Sequence, residues 1–107
     1  MIVYLSGPIT GAADYESDFR NAQAIVESMA GVSSVINPVD IGNALISEFR
    51  SFDNRSGPEW VDFMRADIKA LCDCDSIYML DGWRNSTGSI LEHQIAKALM
   101  FNFLGRV

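Results

Sequence analysis

An α/β fold, with a single-domain open parallel sheet flanked by helices in the Rossmann/flavodoxin-like manner, is predicted by three observations. Short apolar runs recur along the chain, stretches of helical periodicity lie between them, and glycine or proline marks the junctions. Strands that alternate with helices pair in parallel through right-handed crossovers, and ligands of such sheets sit at the carboxyl ends of the strands.

The apolar run Ile2 to Leu5 ends at "SGPITG", where Gly7, Pro8 and Gly11 break regular structure, so it reads as a buried first strand entering a loop. Asp14 can cap a helix whose stripe of Phe19, Ala22, Val26 and Met29 is spaced by three and four, with Gly31 ending it. "SSVINP" reads as the second strand. The polar stretch "GNALISEFRSFDNRSGP" carries Arg50 and Arg55, supports at most a weak helix around Ala44 to Phe49, and reads as a mobile lid or partner contact. Ser56 with Glu59 matches a capping box, and Pro58 suits the first turn of a helix running to about Cys72. "SIYML" is the third strand, and "ILEHQIAKALMFNF" is the last helix, after which the chain stops at Val107. The loops Gly7 to Gly11, Asn37 to Asp40 and Asp81 to Gly88 then share one edge, where function should lie.

A chain of 107 residues holds one core, so residues 1–107 are read as a single domain whose site borrows walls from a partner in a homodimer or higher homo-oligomer. A formal net charge of −6 argues against a nucleic acid polymer, whose binding rests on Lys and Arg neutralising phosphates. A small-molecule ligand is the better expectation. With no run of about 18 apolar residues and no signal-like segment, the sequence reads as cytoplasmic with no membrane partner. Cys72 and Cys74 lack the companions of a zinc set, so no metal is expected and the thiols read as reduced and partly buried.

Two acids fall in unexpected places. Along the last helix the apolar face is made by Leu91, Ile95, Ala96, Ala98, Leu99 and Phe103, and Glu92 projects into it, while His93, Gln94 and Lys97 face outward. On the preceding helix Trp60, Phe63, Met64, Ile68, Ala70 and Leu71 form the core side, and Asp67 falls among them. Neither acid has an opposite charge three or four residues away. A carboxylate facing a core without partners is costly or is held protonated, a condition that clusters at functional sites. Two plainer readings stay open: Ser89 with Glu92 matches a capping box, and Asp67 can be a buried acid bonded to loop amides.

The opening "VYLSGPITG", the run of Asp67, Leu71 and Cys74-Asp75 into a strand, and the set Ser86, Gly88, Glu92 and Ala96 span nearly the whole chain. In these features it resembles the nucleoside 2-deoxyribosyltransferase superfamily, which includes the 2′-deoxynucleoside 5′-monophosphate N-glycosidases, and especially its short phage-associated members. The resemblance implies cleavage or exchange of the N-glycosidic bond of a deoxynucleoside or its 5′-monophosphate, with no cofactor. It makes Glu92 the nucleophile, Asp67 the group that protonates the departing base or orients the nucleophile, and Tyr4 the hydroxyl that positions Glu92. Gly7 and Ile9 would line the base pocket, while Ser86 and the backbone at Thr87 and Gly88 would meet the 5′ side of the sugar.

The sequence departs from the monophosphate hydrolases at Thr10, where they carry arginine, so a phosphate would be met by Arg84, Arg50 or Arg55, or not at all. Trp83, in a slightly longer "DGWRN" segment, would stack on a base or plug the loop. His93 reads as solvated. Asp40 and Asp81, at predicted strand ends, are candidate ribose-hydroxyl binders. The alternatives to an enzyme are a non-catalytic nucleotide-binding module and a phage accessory interaction protein with "GNALISEFRSFDNRS" as its contact surface.

Overall fold

The computed structural model describes residues 1–53 and 57–106. In chain order the elements are β1 (Ile2–Ser6), α1 (Tyr15–Glu27), β2 (Ser34–Ile36), α2 (Pro38–Asp53), α3 (Trp60–Leu71), β3 (Ser76–Met79), α4 (Thr87–Ala98) and β4 (Asn102–Gly105), with a short 3₁₀ turn at Trp83–Asn85. All strand pairs are parallel, in the order β2-β1-β3-β4. The chain turns to one side of β1 to make β2 and then crosses to β3 on the other side. That reversal leaves a switch point between β1 and β3, where an open α/β sheet has its ligand crevice.

Register divides the side chains between two faces. Tyr4 lies beside Ile77 and Ser6 beside Met79. Because side chains alternate along a strand, these four share the face covered by Leu71 of α3 and Ala96 of α4. Val3 and Leu5 point the other way, onto Phe19, Ala22 and Val26 of α1. Those three residues have the predicted spacing and are buried, and full burial of a side chain such as Phe19 contributes roughly 2 kcal/mol. Met29 lies beyond the end of α1, and Gly31, with a φ of +83°, sits in the turn that leads to β2.

Three boundaries differ from the sequence reading. The stretch after Asn37 is a helix of 16 residues, α2, longer than the weak helix expected around Ala44 to Phe49. Asn37 Oδ1 accepts from the Val39 amide at 2.9 Å, and Pro38 occupies the first helical position, where its missing N–H costs nothing. Helix α3 begins at Trp60, so Pro58 precedes it, and the Glu59 amide donates to Asp62 Oδ2 at 2.9 Å. Ser56, the expected cap, and Arg55 lie outside the described residues.

The third difference is a strand in place of the end of a helix. α4 stops at Ala98, and Met100 takes the left-handed conformation, with a φ of 60°. The Phe101 amide donates to Ala96 O at 3.0 Å and the Met100 amide to Lys97 O at 3.2 Å, the paired bonds of a Schellman turn. Phe103 therefore belongs to β4, where it pairs with Ile77. The buried stripe of α4 is also narrower than predicted. Ser89, Glu92 and Ala96 face inward, whereas Leu91, Ala98 and Leu99 are exposed.

Candidate functional site

Glu92 lies in the second turn of α4 and is 5 % exposed. Ser86 caps this helix by accepting the Ser89 amide at 3.3 Å, so the capping box proposed for Ser89 and Glu92 does not form. Instead the Glu92 carboxylate is held from the sheet. Tyr4 Oη donates to Oε2 at 2.6 Å, and Ser6 Oγ donates to Oε1 at 2.7 Å. Residues two apart on a strand share a face, and β1 is an inner strand of the sheet, so both hydroxyls are delivered from a rigid support. The sequence reading identified Tyr4 and missed Ser6. The strand alternation that carries Tyr4 inward reaches Ser6 only because β1 runs one residue past the Leu5 at which the apolar run ends.

Asp67 projects from the middle of α3 and is 8 % exposed. Its Oδ1 is buried with no hydrogen-bond partner, which leaves the amide-bonded reading without support at that atom. Burial, reinforced by the charge of Glu92, pushes the Asp67 carboxyl up to about 7. Burial also pushes Glu92 up to about 7, against the two hydroxyls, which favour its ionised form. The Tyr4 hydroxyl is raised well above its ordinary value by burial and by both acids, so it stays a donor. These groups titrate as a pair. When the pair holds one proton, the donors on Glu92 favour its ionised form, and the bare oxygen of Asp67 favours the proton. The arrangement thus offers one anionic oxygen nucleophile and one neutral acid close to neutral pH.

Above the pair opens a cavity of about 580 Å³ at the carboxyl edge of the sheet. Tyr4, Gly7, Ile9, Asp67, Ser86, Gly88 and Glu92 all line it, so seven of the eight predicted site residues converge. Trp83 does not. It is buried beneath the loop, its indole N–H donates to Arg106 O, and its ring stacks on His93 at 4.4 Å with an angle of 9° between planes. Of the two readings of Trp83, the loop plug is the one its contacts describe. His93, sandwiched between Trp83 and Phe103, is lowered from its ordinary value mainly by burial.

Gly7 sits where β1 approaches β3 closely, since a Cβ there would lie 2.7 Å from Leu80 Cβ. A Cβ on Gly88 would lie 3.1 Å from Met64 Sδ, so that glycine lets α3 and α4 close around the acids. The rest of the wall is mostly apolar or neutral, including Tyr15, Ile46, Trp60 and Phe63 beside Thr10, Asn43 and Asn85. Among the described residues no lysine, arginine or histidine lines the cavity. Arg84 lies over the Trp83 ring at 4.6 Å, and Arg50 is not part of the wall. Asp40 is engaged by Arg20, which draws its carboxyl below its ordinary value, and Asp81 pairs with Arg106 at 3.0 Å. Neither faces the cavity.

Cys72 is exposed, and Cys74 is buried with its thiol pushed up to about 11, first by burial. Among the described residues no group of three or more His, Cys, Asp or Glu is placed to hold a metal ion, and no helix is long and apolar enough to cross a membrane.

No curated protein matches the sequence. Residues 1–104, the span that carries β1 through most of β4 and every residue of the Tyr4, Ser6, Asp67 and Glu92 cluster, match a family described as a domain of unknown function, and the chain belongs to that family, DUF4406.

Proposed function

We propose that the protein cleaves or exchanges the N-glycosidic bond of a deoxynucleoside or its 5′-monophosphate, with Glu92 as nucleophile and Asp67 as acid. The observation that carries this reading is the buried Glu92 carboxylate, gripped by Tyr4 and Ser6 and lining a cavity beside a second buried carboxyl, Asp67, that burial pushes up to about 7. Glycosidic cleavage through an oxocarbenium-like state needs this combination: an anion close to the anomeric carbon and a proton for the leaving group. In the first step a Glu92 oxygen bonds to the anomeric carbon as the carbon–nitrogen bond breaks, and the departing base takes the proton of Asp67. Water or a second base then attacks the same carbon, gives its proton back to Asp67, and releases the Glu92 carboxylate.

The aromatic and aliphatic wall suits a base, and a lining without Lys, Arg or His among the described residues favours an uncharged nucleoside over its monophosphate. Among the described residues, the amides at the start of α4, beside Ser86, are a place for a 5′ group. Association into a homodimer belongs to the same reading, and sedimentation of the purified chain tests it.

The experiment that tests the chemistry incubates the protein with deoxynucleosides and their 5′-monophosphates, with and without an acceptor base, beside Glu92→Ala. Base release or exchange that disappears in the variant is the expected result. Saturable binding with no product across the panel would replace this reading with a non-catalytic binding module.

A further inference from the structure

The two hydroxyls on Glu92 are not equivalent. Both residues are fully buried, but Tyr4 borders the cavity and Ser6 is not part of its wall. Tyr4 holds Oε2 and Ser6 holds Oε1, so Oε2 is the oxygen held by the hydroxyl that borders the cavity.

We propose that Ser6 is a second positioning residue, and that the pair of hydroxyls divides the Glu92 carboxylate into a reacting oxygen, Oε2, and a retained oxygen, Oε1. The proposal rests on the glycosidic reading above. As Oε2 forms its bond to the anomeric carbon and the carbon–nitrogen bond breaks, the electron pair leaves with the base nitrogen, which takes the Asp67 proton. The product is an ester whose carbonyl oxygen is Oε1, still accepting from Ser6. The alkylated Oε2 is a poorer acceptor, so Tyr4 is released. In the second step water or an acceptor base forms its bond to the anomeric carbon, the carbon–Oε2 bond breaks, and the pair returns to the carboxylate while the acceptor's proton goes to Asp67. Ser6 holds Glu92 through the whole cycle, whereas Tyr4 lets go and rebinds.

The placement of Ser6 fits this role. It sits on the same inner strand as Tyr4, its carbonyl accepts the Leu80 amide at 2.8 Å, and its partner Oε1 has no other hydrogen bond among the described residues. Among the described residues, Tyr4 and Ser6 from β1 bond to Glu92, and the charge of Glu92 in turn acts on Asp67 of α3. Ser6 is therefore one of two donors that keep a buried acid ionised.

The test compares wild type with Ser6→Ala and Ser6→Cys, the latter a weak donor of similar size. Two quantities are read: the pH dependence of kcat/KM, and the ionisation of Glu92 in the free protein, followed by carbon-13 NMR of labelled carboxyls. Removing one hydrogen bond to the ionised form should move the acidic limb, and the Glu92 titration with it, up by roughly one pH unit in Ser6→Ala. kcat should fall roughly ten-fold, with Ser6→Cys between the two. A hydroxyl that served only packing would lower stability and leave both titrations in place. Unchanged titrations in an active, folded Ser6→Ala protein overturn the proposal while the glycosidic reading stands. Absence of turnover in the wild type overturns that reading and, with it, the assignment of the two oxygens.

Discussion

Tyr4 and Glu92, 88 residues apart in sequence, are joined by a buried hydrogen bond of 2.6 Å that links an inner strand of the sheet to the second turn of the last helix. Deleting only the hydroxyl, in Tyr4→Phe, keeps the ring in its packed place and leaves Oε2 without a donor. A hydrogen bond to a charged group is worth about 1.5 to 3 kcal/mol. The variant should therefore lose roughly that much stability at pH 8, where Glu92 is ionised, and less at pH 5, where it is protonated. Denaturant titrations at the two pH values check this, and an equal loss at both would mean that the bond does not serve the anion.

Folding should weaken as pH rises. Asp67 and Glu92 are both raised to about 7, from ordinary values of 3.8 and 4.5. Between about pH 4 and 7 the folded chain therefore binds more protons than the unfolded one, and stability declines across that window. The stabilisation is complete below the unfolded values and gone once the pH has passed the folded ones. Asp67→Asn, which cannot ionise, should flatten the profile and be more stable than wild type at pH 8, by an amount on the order of 2 kcal/mol. Tm measured from pH 4.5 to 8 decides the matter, because general self-repulsion from the net charge of −6 would persist in the variant.

Trp83 should matter to stability and not to turnover. Trp83→Phe keeps a ring against His93 but loses the donor to Arg106 O, at a cost of about 1 to 2 kcal/mol. KM should stay at the wild-type value. A raised KM with unchanged Tm would put the indole in contact with substrate.

Gly105 anchors the last strand. A Cβ there would meet Met79 O at 2.5 Å, and its φ of +81° is unfavourable for other residues. Gly105→Ala should cost about 1 to 3 kcal/mol and release β4 first. Amide hydrogen exchange at Phe103 and Leu104 is the measurement, with faster exchange there than in β1 as the expected result.

The sequence announced the first three strands of the sheet because their apolar runs end close to Gly7, Pro38 and Gly82, residues that punctuate whatever the tertiary context. It did not announce β4, because the residue that ends α4 in the left-handed conformation is Met100, and nothing local marks a methionine as a stop. The acids were legible as misfits in a helical stripe. Ser6 was not, since a serine before Gly7 looks like the start of a loop until the register with Met79 extends β1 through it. Trp83 was ambiguous for a different reason: stacking on a base and stacking on His93 call for the same side chain in the same place.

With every strand pair among the described residues parallel, none of these pairs is a hairpin, and each rung must wait for a helix or longer segment to be threaded across it. Tyr4 and Ser6 are made before their partner on α4, which follows 86 or more residues later. Until α4 docks, the two hydroxyls have no carboxylate to grip and Glu92 titrates as an ordinary surface acid. The paired acids therefore exist only once α4 has docked on the sheet, and chains in which it has not should carry none of the chemistry of the finished site.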